Sequence, residues 1–370
     1  MARLWAFSYI HKRQADPAAI VARANAAMAL LFFFAFLAGS ALEHSLVLPG
    51  PAVGLLEHPA IYLFLVGQVL FPWALIRAVY TFQDIPRSAA AIVISSYLSR
   101  DFDEHCQRLQ AALRLDTNRS KVAYAALVGV GISAFAWNSL QNQAPHRWVG
   151  IDFWDSINYP IGFYLTRIYK LYHWVFLIPA CVHIMTSVVM AIRELLHDLS
   201  AKQAVKLDPF HADQCGGTSV FVDAVLTPMI FVTLLASMNA AAAVYIHQKA
   251  DISTLGGISM AGVMLAIVYL IPTTALQKVI KAEKARTLNE IGTIQSSQFK
   301  MAMITGANPR SIAAAAEVIS ALSLIASHVR SLPNWPRFRR MAGLTAALAL
   351  CPMLGWLGGL ISPYLIHFAR

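Results

Sequence analysis

The sequence predicts an all-α protein: a polytopic bundle of about seven transmembrane helices with a cytosolic helical hairpin lobe. Composition is the first reason, because 58% of the 370 residues are hydrophobic and 13% are charged, with a mean hydropathy of +0.56. Soluble globular domains rarely show this balance. Patterning is the second reason, since seven apolar runs are each long enough to cross a bilayer, which takes roughly 20 residues. The third reason is that the basic residues concentrate in every second segment between these runs, and therefore on one side of the membrane.

The apolar runs divide the chain into five regions. The runs are residues 24–42, 60–80, 122–140, 171–193, 219–245, 255–276 and 341–362. The regions are 1–83 with the N-terminal segment and two spans, 84–121 as a cytosolic amphipathic segment, 122–276 with four spans, 277–340 as a cytosolic helical hairpin, and 341–370 with the last span and an outer C-terminus. Five runs contain an interior proline, which removes a backbone hydrogen bond and favours a kinked helix.

The orientation follows from the distribution of Lys and Arg, which are retained on the cytoplasmic side during insertion. With the N-terminus inside, only five of the 29 basic residues fall in outer segments. We therefore expect a multi-pass protein of the bacterial inner membrane, with the N-terminus cytoplasmic and the C-terminus outside. The net charge of +10 is then mostly this topology signal together with attraction to anionic lipid, and we expect no nucleic-acid partner.

Both inner regions have helical patterns. In region 84–121 the apolar residues recur at roughly helical spacing, and the opposite face mixes acids and bases. The apolar residues are Ile92, Leu98, Phe102, Leu109, Leu113 and Leu115. That mixture favours packing against other inner helices over lying on the membrane surface. In region 277–340, the sixth run continues as a helix until Gly306 and Pro309, and the Ala-rich stretch after it returns antiparallel.

Two connecting segments have unusual compositions. The outer segment 141–170 is dense in Phe, Tyr and Trp, which favour the headgroup level. It is either an interfacial anchor or the lip of a vestibule, with Asp152, Asp155 and Arg167 facing water. The inner loop 194–218 carries Asp208, His211, Asp213 and Cys215, residue types that bind transition metals. Its spacing lacks the repeated ligand pairs of zinc sites, so a helix cap with a glycine turn is the alternative.

Polar residues inside the spans are the remaining candidates for function, because each costs free energy in lipid unless it faces a partner or a water-filled path. They are Gln68, Asn138, His183 and Asn239, which we interpret as a polar pathway. His183 is also a candidate haem ligand, but no second histidine on a facing span accompanies it. We therefore predict no cofactor. No acid or base lies at mid-depth, which argues against a proton pump with a carboxylate relay.

Two motifs resemble a known group of proteins. The stretch His211-Ala212-Asp213-Gln214-Cys215-Gly216-Gly217 is similar to a degenerate H-P-D-x-A-G-G loop, and residues 331–338, SLPNWPRF, are similar to an L-P-x-W-P-F segment before the last helix. Both occur in uncharacterised bacterial polytopic inner-membrane proteins. The chain departs from that pattern at Ala212 and Arg337. The resemblance implies kinship and the same order of helices, and it implies no activity.

Two classes of function fit these features, and a third is weaker. The first is a membrane conduit: an oligomeric ion channel or transporter, built from copies of this chain, with a cytosolic helical regulatory lobe. The second is a non-transporting anchor, sensor or accessory subunit that binds a partner membrane subunit. The third is an inner-face metal- or haem-binding enzyme. Enzyme motifs such as H-E-x-x-H, G-x-S-x-G and the Walker loop are absent from the sequence, which favours the first two classes.

Overall fold

The computed structural model describes residues 17–49, 52–85, 97–141, 153–202, 252–304 and 309–334, together with Val205, Phe210, Thr218 and Phe221. The described part is all-α, and its sole β-type contact is an isolated bridge between Val53 and Phe153. Within these residues four helical stretches are long and apolar enough to cross a membrane, as expected of a multi-pass membrane protein. They are Arg23–Leu42, Phe64–Gln83, Pro160–Ala201 and Pro309–Ser331.

The helices follow one another in the order that the apolar runs predict. They are α1 Pro17–Leu42, α2 Pro59–Gln83, α3 Tyr97–Leu113, α4 Asn118–Gln141, α5 Pro160–Leu171, α6 Ile178–Ala201, α7 Ile252–Ile304 and α8 Pro309–Ser331. A π-helical segment, Tyr172–Leu177, joins α5 and α6 into one helix of 42 residues. Apart from Phe221, the predicted runs at 219–245 and 341–362 lie outside the described residues, so a count of seven spans stays a prediction.

The helix α4 runs antiparallel to the long helix α5–α6. At one end the ring of Tyr124 meets the ring of His183 edge-on, with centroids 5.7 Å apart. At the other end Nη2 of Arg167 donates to the carbonyl of Ser139 at 3.3 Å. Between them Gly131 faces the backbone of the π-helical segment. These three contacts show that α4 begins beside α6 and ends beside α5.

The π-helical segment has a local cause in Pro179. Proline has no N–H, and its ring crowds the carbonyl four residues earlier, so a helix widens or bends just before it. The N–H of Ile178 bonds to the carbonyl of His173, five residues back. In this register the partner of the Trp174 carbonyl is Pro179, which has no N–H to donate. A Cβ at Gly131 would lie 2.0 Å from that carbonyl oxygen, so α4 can approach the segment only because residue 131 is glycine.

Within the described residues two apolar clusters lie one above the other, and we name them outer and inner after the orientation that the basic residues predict. The outer cluster joins α1, α2 and α5 and consists of Ala29, Phe32, Phe36, Leu55, Ile61, Leu65, Trp154 and Tyr169. The larger inner cluster joins the last turns of α2 to α3, α6 and the middle of α7. Phe102, Leu109 and Leu113 of α3 are 2% exposed and lie in this inner cluster, which confirms that α3 packs against the other helices.

The α3–α4 turn carries charged residues to a level beside His183. Leu115 adopts a left-handed conformation with φ 59°, and the N–H of Asp116 bonds to the carbonyl of Ala111, which ends α3. The next helix begins where Oγ1 of Thr117 accepts the N–H of Ser120. Nε2 of His183 lies 3.0 Å from the carbonyl of Ala112 in the last turn of α3.

The helix α8 packs antiparallel against the second half of α7. Nε2 of Gln295 donates to the carbonyl of Ile319 and to Oγ of Ser323, at 3.3 and 3.0 Å. Further along, Nζ of Lys284 donates to the carbonyl of Leu332 at 2.8 Å, just beyond the end of α8. The cytosolic position predicted for this hairpin is not set by these contacts, and α8 is itself apolar enough to cross a membrane.

Candidate functional site

The interface of α1, α2 and α5 holds aromatic rings in mutual contact. The ring of Tyr169 lies 4.9 Å from Phe32 and 5.5 Å from Phe36, measured between centroids. Phe36 in turn lies 5.3 Å from Trp154, near the start of α5. Edge-to-face pairs of this kind fix the orientation of each ring. The interface is therefore closely packed along its apolar side.

Polar groups occupy the same interface at its inner end. Gln68 of α2 is fully buried, and its Nε2 donates to the carbonyl of Asn25 on α1 at 3.4 Å. The hydroxyl of Tyr172 donates to Oδ1 of Asn25 at 3.1 Å, so three elements meet at one asparagine. The Oε1 atom of Gln68 is buried without a hydrogen-bond partner. It is an acceptor that the protein leaves unused.

Other buried oxygens without partners recur along this interface. Together with Gln68 they form what we call the polar track: Ser40, Gln68, Ser156, Thr166 and Tyr169. Each of these residues is at most 7% exposed. From the first residue of α5 to Tyr172, the interface extends about 18 Å. Leaving one such oxygen unpaired costs about 1–3 kcal/mol, so five of them in one interface indicate a site for water or a polar ligand.

The outer end of the polar track is held by Trp154. This residue is wholly buried, and its Nε1 donates to Nδ1 of His58 at 3.0 Å. A Cβ at Gly162 would lie 2.3 Å from the Trp154 carbonyl oxygen, so glycine is required where α5 passes the turn. Because Nδ1 of His58 accepts a hydrogen bond, the proton of the neutral ring is on Nε2, a buried atom without a partner. Burial lowers the pKa of His58, while Asp155 raises it.

Glu43 joins the end of α1 to the start of α5. Its Oε1 accepts the N–H of Ile161 at 2.6 Å, and its Oε2 accepts the N–H of Gly162 at 2.9 Å. Both are free donors of a helix N-terminus, and the carboxylate also interacts favourably with the helix dipole. Glu43 therefore fixes the distance between the two helices that border the polar track.

The predicted site residues separate in the structure. Gln68 lies in the polar track, and its part in a polar pathway stays a prediction. His183 does not lie in the track: it lies beyond the π-helical segment, at the level of the α3–α4 turn, and its Nε2 is taken up by the Ala112 carbonyl. This environment does not fit a haem ligand, whose nitrogen must face the iron. Asn138 lies near the end of α4, next to the Ser139 carbonyl that Arg167 contacts.

The remaining predicted residues lie outside the described part of the chain. They are Asn239 of the predicted polar pathway and the candidate metal ligands Asp208, His211, Asp213 and Cys215. Within the described residues, no group of three His, Cys, Asp or Glu side chains is placed to hold a metal ion.

Most members of the polar track escape detection in the sequence. Thr166, Tyr169 and His173 follow Gly162 at helical spacing, a signal for one polar face on α5. The many aromatic residues of segment 141–170 mask it, because they also suit the membrane surface. The sequence predicts that segment 141–170 is an interfacial anchor or the lip of a vestibule. Its Trp154 is enclosed by the protein, so this side chain faces neither lipid nor water.

Comparison of the chain with protein-family models, with curated proteins and with solved structures gave no match. Kinship with the bacterial inner-membrane group stays a prediction from the two motifs.

Proposed function

We propose that this protein is a membrane conduit: an oligomeric ion channel or transporter of the bacterial inner membrane, with a cytosolic helical lobe that regulates it. The polar track is the observation that carries the proposal. Buried oxygens without partners are costly in any protein, and inside an apolar helix bundle they mark a path or a site for polar molecules.

The proposed position of the membrane follows from the polar turns at the two ends of α5 and α6. From Pro160 to His183 the helix rises about 35 Å, close to the thickness of a bilayer core. Glu43 and Asp155 lie at the outer limit, and the charged turn that contains Arg114 lies beside His183 at the inner limit. The polar track then occupies the outer half of the membrane.

The regulatory lobe in this proposal consists of α3, the second half of α6, the second half of α7, and α8. The α7 segment that α8 packs against carries Lys284, Arg286 and Glu290, among other charges. A hairpin with these charges is costly in lipid, so we place α8 in the cytosol despite its apolar sequence. The excess of basic residues on this side supports the same orientation, with the N-terminus inside.

Transport in this proposal requires the inner cluster to open. Below Gln68 the interior becomes apolar and closely packed, and Leu75, Phe82 and Leu196 are at most 1% exposed. The inner cluster includes residues of α3, α6 and α7, which belong to the lobe. A ligand or partner that moves the lobe would therefore act directly on the seal of the path, which is the support for a regulatory role.

The test is solute and ion flux into liposomes that contain the purified protein. We expect Gln68→Leu to reduce flux strongly, because leucine fills the inner end of the polar track with an apolar side chain. Thr81→Val is the matched control: it also exchanges a polar for an apolar residue in α2, but the Thr81 side chain bonds to its own helix and lies away from the track. Equal flux in Gln68→Leu and wild type would refute the proposal.

A second candidate function is a non-transporting sensor or accessory subunit, and the closed inner cluster is the observation that favours it. In that case the polar track binds a ligand from the outer side, and the inner cluster never opens. Leu75→Cys discriminates the two functions in a chain whose native cysteines are changed to alanine. A conduit exposes this cysteine to a membrane-impermeant thiol reagent while it conducts, whereas a sensor keeps it unreactive in every condition.

A further inference from the structure

We infer that the conduit carries small uncharged polar solutes through a path inside each subunit, and that ions do not pass along this path. The inference rests on the proposed function and names its class of solute. It also assigns the path to the interior of each subunit and not to the symmetry axis of the oligomer.

The position of the polar track gives the first part of the argument. Its walls are α1, α2 and α5 of one chain, joined by the contacts of Gln68 and Tyr172 with Asn25. The ring pair Phe32–Tyr169 also closes the interface within that chain. A symmetry axis between subunits cannot pass through an interface that one chain encloses. Each copy therefore has its own path, and oligomer formation serves stability or regulation.

The chemistry of the unpaired atoms gives the second part. They are hydroxyl oxygens at Ser40, Ser156 and Thr166, the phenol oxygen of Tyr169 and the amide oxygen of Gln68. A hydroxyl both donates and accepts, whereas an amide oxygen accepts only. A solute that carries donors and acceptors on a small uncharged body can bond to these atoms one after another. Urea and glycerol have this chemistry, and so does water.

The same atoms are poorly suited to ions. Potassium filters replace the hydration shell with rings of carbonyl oxygens, which come from several subunits around an axis. The polar track is enclosed in one chain and cannot supply such rings. Its members are also all neutral.

The aromatic contacts limit the size of the solute. The rings of Tyr169 and His173 lie 4.5 Å apart between centroids, and Tyr169 also touches Phe32. Rings in such contact leave no wide channel beside the oxygens, so a solute that passes them must be small. Sugars and larger metabolites are therefore outside the expected class.

The experiment measures solute and ion passage on the same preparation of wild-type protein in liposomes. Stopped-flow light scattering follows swelling in gradients of urea and of glycerol, and planar bilayers in potassium chloride report ionic current. The test variants are Tyr169→Phe, which removes one hydroxyl and keeps the ring, and Gln68→Leu. Thr81→Val is the control outside the polar track. We expect urea or glycerol permeability well above that of protein-free liposomes, a severalfold loss in both test variants, no loss in the control, and no current.

Each other outcome has a definite meaning. A potassium or chloride current that Gln68→Leu lowers, without solute flux, overturns the solute class and leaves the conduit standing. The absence of both flux and current overturns the conduit together with the inference. Solute flux that neither Tyr169→Phe nor Gln68→Leu changes shows that the path lies elsewhere, which overturns the assignment to the polar track.

Discussion

The contact between α4 and the π-helical segment can be tested with two glycines of one helix. Gly129 and Gly131 are separated by a single residue in α4, and a methyl group at each would meet opposite surroundings. A Cβ at Gly129 has no neighbour within 4 Å, whereas a Cβ at Gly131 would lie 2.0 Å from the Trp174 carbonyl oxygen. Gly131→Ala therefore forces the two helices apart, and Gly129→Ala does not.

The size of the effect follows from that distance. Carbon–oxygen contacts across helix interfaces are found at about 3.3 Å, so α4 must retreat by about 1.3 Å. Overpacking of this kind costs about 1–3 kcal/mol. Both substitutions share the gain of about 0.5–1 kcal/mol that alanine has over glycine within a helix. The shared gain cancels in the comparison, so Gly131→Ala should be less stable than Gly129→Ala by about 1–3 kcal/mol.

The assay is thermal unfolding in detergent, read by a dye that fluoresces on reaction with thiols. Cys181 is 1% exposed and lies two residues after Pro179, so it reports on this part of the bundle. Cys106 reacts slowly in the folded protein, because burial and the nearby Asp103 raise its pKa to about 11. Cys215 and Cys351 are changed to alanine in every variant. Equal unfolding temperatures for the two glycine variants would refute the close approach of α4 to Trp174.

Three further predictions concern other parts of the molecule. Lys284→Met should lower the unfolding temperature more than Lys281→Met, because Nζ of Lys284 donates to three acceptors at the end of α8 whereas Lys281 is exposed; equal temperatures would contradict this role. His58→Gln should make the stability of the protein less sensitive to acid. Burial holds the pKa of His58 in the folded protein below its ordinary value of 6.5, so the unfolded chain takes up the proton first. The wild type therefore loses stability as the pH falls below about 6.5. Parallel wild-type and variant profiles of unfolding temperature between pH 7.5 and 5 would count against that assignment. Native mass spectrometry from gentle detergent should show a closed oligomer without cofactor mass, and a monomer would weaken the conduit proposal.

Several features of the helices could be predicted because they depend on local chemistry. Apolar runs of about 20 residues located α1 and α2 to within about seven residues of their bounds. The long helix α5–α6 begins eleven residues before the predicted run 171–193 and ends eight residues after it. The spacing of Phe102, Leu109 and Leu113 predicted the buried face of α3. Pro179 predicted a disturbance in its helix, although not its form. These signals belong to the residues themselves or to neighbours one helical turn away.

Gln68 could be identified from the sequence, whereas most of the polar track could not. An amide side chain within an apolar run is conspicuous because it costs free energy to expose to lipid. Thr166 and Tyr169 are ordinary residues in a segment rich in aromatic side chains. They matter only because α1 and α2 cover them and supply no partner for their oxygens. Which faces meet is a property of the packed bundle.

The sequence by itself determined that this chain forms long apolar helices in a given order, because hydropathy and helical periodicity are summed along the chain. The tertiary structure alone decided which part of an apolar helix contacts other helices and which part remains exposed. The run 171–193 shows the reason: it is predominantly apolar along its whole length, but its second half packs against α3 in the inner cluster. Lipid and a protein core both favour apolar side chains, so hydropathy cannot distinguish them, and contacts between distant segments do.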